Sequence, residues 1–244
     1  MKNTLTIARR EMRSFFDSLV AYVVVGLSII ICGLWFFVAS GGIWQIDRAN
    51  FSRMFEALPW LLSLIVIPLV TMRSIAEEKR SGTLELLITM PVKDTEVILG
   101  KYFAALGMCV VLLGCSLLFP IAMIVWPWHL GVLDWGPIWT AYFGLALFSA
   151  AGVSIGLLFS SITESQIIAF FFTAFTLGLL VAVGMLAQLW HGVPGDILGF
   201  VSFESRISGF EHGLIDTRAV IYFLSITVIC LLISFRSLES RKWS

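Results

Sequence analysis

Six segments of this chain carry no Asp, Glu, Lys or Arg over lengths close to what a bilayer demands: 19–39, 57–72, 102–125, 138–160, 166–189 and 219–235. A helix needs about 20 mostly apolar residues to cross the hydrocarbon core, with a range near 17–25. The pattern predicts an all-α integral membrane protein with six transmembrane helices. Only 13% of the residues are charged and 59% are hydrophobic, against about 25% charged in a soluble domain. The second segment is the short one, 16 residues between Glu56 and Arg73, and is expected to borrow from Phe51–Phe55. Its Pro59 and Pro68 permit kinks that neighbouring helices tolerate.

Lys2, Arg9, Arg10 and Arg13 precede the first segment as the n-region of a signal peptide would. The charge-free run from Ser18 to Ile46 is 29 residues, however, far beyond a cleavable apolar region of about 7–15. It is expected to stay as a span. No internal repeat and no soluble domain is legible, so residues 1–244 read as a single transmembrane domain.

Lys and Arg set the orientation. With the N-terminus inside, the inner segments hold 12 of the 16 cationic residues, and Arg48, Arg53, Arg206 and Arg218 fall outside. Both termini are therefore expected in the cytoplasm. Eight of the nine Trp residues fall toward the predicted outer interface, all but Trp243, and indole rings prefer the headgroup zone. The net charge is zero, so bulk charge implies no nucleic-acid partner. Cys32, Cys109, Cys115 and Cys230 all sit in apolar segments. They predict neither a disulfide framework nor a metal site.

Ahead of the first span, Leu5, Ala8, Met12, Phe15, Phe16 and Leu19 recur at helical steps, with Arg9, Arg10, Arg13 and Asp17 on the other face. This predicts an interfacial helix, its apolar face in lipid and its arginines at the headgroups. On the outer side, 191–217 interleaves Phe200, Phe203, Phe210 and other apolar residues with glycines. Pieces this short predict re-entrant or interfacial helices. They serve either as an external gate or as a loop resting on the headgroups.

The inner loop Arg73–Lys101 is a charged island. Arg73, Glu77, Glu78, Lys79 and Arg80 extend the second span, and Glu77 can pair with Arg80 at i,i+3. Gly82 ends that helix in a left-handed turn, and Thr83 can cap the next. Leu84, Leu86, Leu87 and Ile88 form a short apolar helix closed by Pro91. Asp94 or Thr95 can cap the extension of the third span, and Glu96 suits the positive end of that helix. A short apolar helix outside the membrane marks a docking surface or lies on lipid.

The run Glu77-Glu78-x-Arg80-x-Gly82-Thr83-Leu84-Glu85-x-Leu87, then Pro91-Val92, Glu96 and Gly100-Lys101, resembles the first cytoplasmic loop of ABC-2 type transporter permeases. The likeness lies in their gliding-motility and copper-maturation branch. Phe15-Phe16-Asp17-Ser18 with Ala21-Tyr22-Val23-Val24 is similar to that branch before span one. Phe203-Glu204-Ser205, Gly213-Leu214-Ile215-Asp216 and Tyr222-Phe223-Leu224 are similar to its last outer loop and span. The resemblance implies a permease subunit of the bacterial inner membrane, without an ATPase site of its own. It would be one of two permease copies, or half of a mixed pair, on two cytoplasmic ATPase subunits that hold ATP and magnesium. An accessory protein on the outer side is also implied. The coupling positions would be Glu77, Glu78, Arg80, Gly82, Thr83, Leu84, Glu85, Leu86, Leu87 and Pro91, with Glu96, Gly100 and Lys101 leading into span three. Leu19 stands where the branch often has proline, which implies a straighter join to span one. Lys93 replaces a capping serine.

No Gly-x-x-x-x-Gly-Lys-Ser/Thr phosphate loop occurs. Gly152-Val153-Ser154-Ile155-Gly156 matches a serine-hydrolase elbow, which needs a strand-turn-helix context. In mid-span, Gly152 and Gly156 read instead as a close-packing face. Uncharged spans disfavour a proton-coupled carrier. The sequence is compatible with an ATP-driven permease, with a non-transporting anchor or mechanotransmitter for an outer-side machine, and with a hydrolase using Ser154.

Overall fold

The computed structural model describes residues 2–37, 52–82, 94–124, 134–189 and 192–240, and among these no strand occurs. Helix α1 (Lys2–Asp17) is followed by α2 (Leu19–Phe37), the first span. The second span is built from α3 (Ser52–Leu61), a π-helical turn (Leu62–Val66) and α4 (Ile67–Thr71), and continues into α5 (Ala76–Arg80). The third is α6 (Asp94–Ser116) with α7 (Leu118–Ile124), and the fourth and fifth are α8 (Trp135–Ile162) and α9 (Gln166–Leu189). Two short helices, α10 (Val193–Val201) and α11 (Phe203–Glu211), precede α12 (Thr217–Ser240), the sixth span. Five helical stretches are long and apolar enough to cross a membrane, and α1 with α2 makes a sixth when that bent pair is taken as one span.

The prolines explain the breaks. Pro68 has no N–H for the Leu64 carbonyl, and the π turn Leu62–Val66 lies immediately before α4. Inserting one wider turn is how a helix accommodates such a missing bond. The ladder resumes at the Met72 N–H, which donates to the Pro68 carbonyl at 2.9 Å. In the third span Pro120 cannot donate to the Ser116 carbonyl, and the helix breaks at Leu117. The Ser116 hydroxyl turns to the Leu113 carbonyl at 2.7 Å and the Tyr142 hydroxyl at 2.9 Å, so the break is tied to α8.

Helix α8 lies at the centre, with Leu145 and Phe148 fully buried. Leu58, Leu62 and Ile67 of the second span, Met108 and Leu112 of α6, and Leu177 and Val181 of α9 complete the core. The second and fourth spans meet at two glycines. A Cβ at Gly152 would come within 2.6 Å of the Ile67 side chain, and one at Gly156 would collide with Thr71. Small residues let membrane helices approach this closely. By contrast, Phe171, Phe175 and Leu179 of α9 and Ile221, Leu224 and Val228 of α12 face outward, which a hydrocarbon solvent permits.

Two expectations need correction. Helix α1 meets the first span at a bend of 72°, not the straighter join implied by Leu19. Its apolar stripe is also not given wholly to lipid: Ile7 packs on Gly100 and Met12 on Gly107 of α6. Docking on α6 fixes the direction of α1, so no proline is needed at the corner. At the other end of the bundle, α10 and α11 do not merely rest on a surface. Phe203 and Phe210 are fully buried. Phe203 stacks edge-on against Phe148 and Phe223, at 5.4 and 5.2 Å. The Phe210 carbonyl accepts from Thr140 at 2.8 Å, and the Val201 carbonyl accepts from Tyr222 at 2.6 Å.

Candidate functional site

The charged island leaves the bundle at its basic end, where α1, α5 and the start of α6 converge. Lys101 is the pivot, only 4% exposed although charged. Its Nζ lies 2.7 Å from Glu78 Oε1 on α5 and 3.4 Å from Glu11 Oε1 on α1. A buried ammonium is costly unless paired, and breaking such a pair costs about 3–5 kcal/mol. Here one cation holds three helices. Glu11 also meets Arg10 at 3.4 Å. Nearby, Asn3 donates to Glu96 at 3.1 Å, which fixes the start of α1 to the first turn of α6.

The stalk α5 is fastened separately to the fourth span. Between α4 and α5 the chain turns, and the N–H groups of Ile75 and Ala76 both donate to the Ser160 hydroxyl oxygen at 3.1 Å. The Ser160 hydroxyl itself donates to the Met72 carbonyl at 3.4 Å. A helix start leaves N–H groups without intrahelical acceptors, and this one borrows its cap from α8. Lys79 donates to the Ser161 carbonyl, which also accepts from Ser237 of α12 at 3.3 Å. The Ser161 carbonyl thus ties α5 to the fourth span and, through that shared acceptor, the fourth span to the sixth.

A cavity of about 340 Å³ lies inside this junction, lined by Glu11, Ser14, Ser18, Arg73, Glu77, Glu78 and Lys101 among others.

Of the residues expected from sequence, Glu78, Glu96, Gly100 and Lys101 come together here. Glu77 and Arg80 are exposed, and Glu78 pairs with Lys101. Gly82 takes φ +70°, the left-handed turn that glycine adopts without strain. Arg9, Arg10 and Arg13 are exposed on α1, while Phe15 and Phe16 pack against the core. Thr83, Leu84, Glu85, Leu86, Leu87, Pro91 and Lys93 lie outside the described residues. Ser154 is fully buried in α8, its hydroxyl donating to the Ala151 carbonyl at 2.6 Å, an ordinary bond within a packed helix. Among the described residues no group of three or more His, Cys, Asp or Glu is placed to hold a metal ion.

Glu11, Ser160 and Asn3 were not singled out from sequence. Glu11 lies between Arg10 and Met12, where it reads as one more headgroup-facing charge. Ser160 ends an apolar span and reads as a mild interruption. Only the packing of α1 on α6, and of α5 on α8, gives either a role.

Comparison with protein families places a match over residues 54–236, from the second span to the last turns of the sixth, to a family described as ABC-2 family transporter protein. No curated protein matches the chain.

Proposed function

This chain belongs to the ABC-2 family of transporter proteins, and from that premise we propose that it is the permease subunit through which a separate cytoplasmic ATPase moves a substrate across a bacterial inner membrane. Both termini would be cytoplasmic, and transport would be outward. ATP and magnesium would be held by two copies of the ATPase partner, under a pair of permease chains. Within the family, the charged island points to the gliding-motility and copper-maturation branch.

The observation that carries this reading is the Lys101 junction. A segment that receives force must be stiffly joined to what it moves, and the two helices flanking 83–93, α5 and α6, are pinned to each other by Glu78 and Lys101. From there α5 is bonded to the fourth span through Ser160 and Lys79. Leu84, Leu86 and Leu87 would dock in the ATPase, with Glu77, Arg80 and Glu85 as the polar rim. Closure of the ATPases would push α5, and the push would pass to α8 and α12.

The test is purification of the tagged chain in mild detergent from its native membrane, with mass spectrometry of what accompanies it. The expected result is a stoichiometric partner with Walker motifs, lost in a Leu86→Asp/Leu87→Asp variant that still inserts. Recovery of the intact chain without any ATPase, where other such complexes survive, would overturn the reading.

A further inference from the structure

We infer that the cavity between α2, α3, α9 and α11, at the end of the bundle opposite the charged island, is the binding site of an amphipathic organic cation with a bulky apolar body. This names a substrate class and in that respect rests on the permease reading above. The cavity measures about 750 Å³, within the roughly 300–1,000 Å³ that hold drug-sized ligands. Its walls are aromatic and aliphatic, with Trp35, Phe55 and Trp60 prominent. Glu56 enters from α3, and Glu204 and Glu211 from α11. Among the described residues that line it, none is Lys, Arg or His.

Among the described residues, the cation of α11 does not answer those carboxylates. Arg206 lies between the two glutamates in sequence, yet its guanidinium sits 4.6 Å from the Phe200 ring centroid and 5.5 Å from that of Tyr222. Its Nη2 donates to the Phe200 carbonyl at 3.4 Å. Glu204 Oε2 is buried and accepts no hydrogen bond. Burial and the neighbouring Glu56 raise the Glu204 carboxyl above its usual range, so the cavity holds negative charge at a cost. A monovalent cation with apolar substituents relieves that cost while its body fills the walls, and indole faces add cation–π attraction.

Other occupants fit less well. An acyl chain would cover the walls and strip water from the carboxylates without pairing them. A second copy of this chain on a two-fold axis would present the same surface, and so bring further carboxylates up to these. A hydrated metal ion would leave the aromatic walls unused.

The test uses the full-length chain, without ATPase, in nanodiscs of zwitterionic lipid. Tetraphenylphosphonium is titrated against it by calorimetry, with tetraphenylborate as the anion of the same shape. The expected result is saturable binding of the phosphonium, weakened about tenfold or more in Glu204→Gln/Glu211→Gln, and no saturable binding of the borate titrated on its own. A second variant, Trp60→Leu, weakens binding while leaving the charges in place. Equal binding of the borate, unchanged affinity in the Gln variant, or no saturable binding of the phosphonium overturns the inference. Because binding is read without the ATPase, the two readings fail separately. Saturable binding to a chain that is recovered from its native membrane without any ATPase would leave the site and remove the permease reading.

Discussion

Lys101 and Glu78, 23 residues apart in sequence, meet at 2.7 Å across the base of the charged island. The pair closes the hairpin whose tip is proposed to touch the ATPase, and it is shielded by α1 through Glu11. Lys101→Met would remove the cation that Glu11 and Glu78 share in a half-buried setting. The expected loss is about 3–5 kcal/mol, read as a lower thermal midpoint of the purified chain in detergent. Adding Glu11→Gln and Glu78→Gln should restore much of it, because the repulsion between the two carboxylates goes. A single variant that melts like wild type would show that the junction contributes nothing to rigidity.

Ser160 makes a separate prediction. In Ser160→Ala the N–H groups of Ile75 and Ala76 lose their shared acceptor. Leaving a buried donor unsatisfied costs about 1–3 kcal/mol. The damage is local to the turn between α4 and α5, so the spans should fold. Basal ATPase activity of the complex should survive while its response to substrate falls. Loss of folding in Ser160→Ala, or full coupling, would count against α8 as the element that receives motion from the stalk.

The six spans were legible because bilayer thickness writes itself into sequence as length and absence of charge. Gly82 and Glu96 were legible because turn chemistry and helix ends are local. What escaped was contact between distant helices. Nothing in the neighbourhood of Glu11 says that it faces Lys101 and not water. The bend at Ser18 follows from Ile7 and Met12 seated on Gly100 and Gly107, which the missing proline at Leu19 could not reveal. The carboxylates at the far end were hidden for the same reason: Glu56 is far in sequence from Glu204 and Glu211, and only the packing of α11 against the spans brings them to one cavity.

Glycine positions offer an internally controlled test of helix packing. Gly156→Ala drives a methyl into Thr71 on the second span. Overpacking costs typically about 1–3 kcal/mol. At Gly114 in α6, by contrast, an added methyl meets nothing within 4 Å. Ala is the better helix former there by about 1 kcal/mol. Gly114→Ala should therefore melt at or above wild type and Gly156→Ala clearly below it. Equal midpoints would mean that the fourth and second spans do not meet closely at this point.

Glu211 carries the pH dependence of the far end. Burial first, then Glu56 and Glu204, push its carboxyl up to about 7 from an ordinary 4.5. Among the described residues, the charged groups that act on it are Glu56 on α3 and Glu204 on α11, while Arg206 of α11 turns to Phe200 and Tyr222. Because the folded state resists ionisation more than the unfolded chain does, the protonated form favours folding. That advantage is complete below about pH 4.5, shrinks as the unfolded chain ionises, and is gone once pH has risen through 7. Glu211→Gln fixes the group in its neutral form. The variant and wild type should then melt together near pH 4.5, and the variant should melt higher at pH 8. The same ionisation is what a cationic ligand needs, so phosphonium affinity in wild type should rise from pH 6 to pH 8 and stay nearly flat in Glu211→Gln. Melting differences that do not open with pH, or a binding profile that keeps its slope in the variant, would place the titrating group elsewhere.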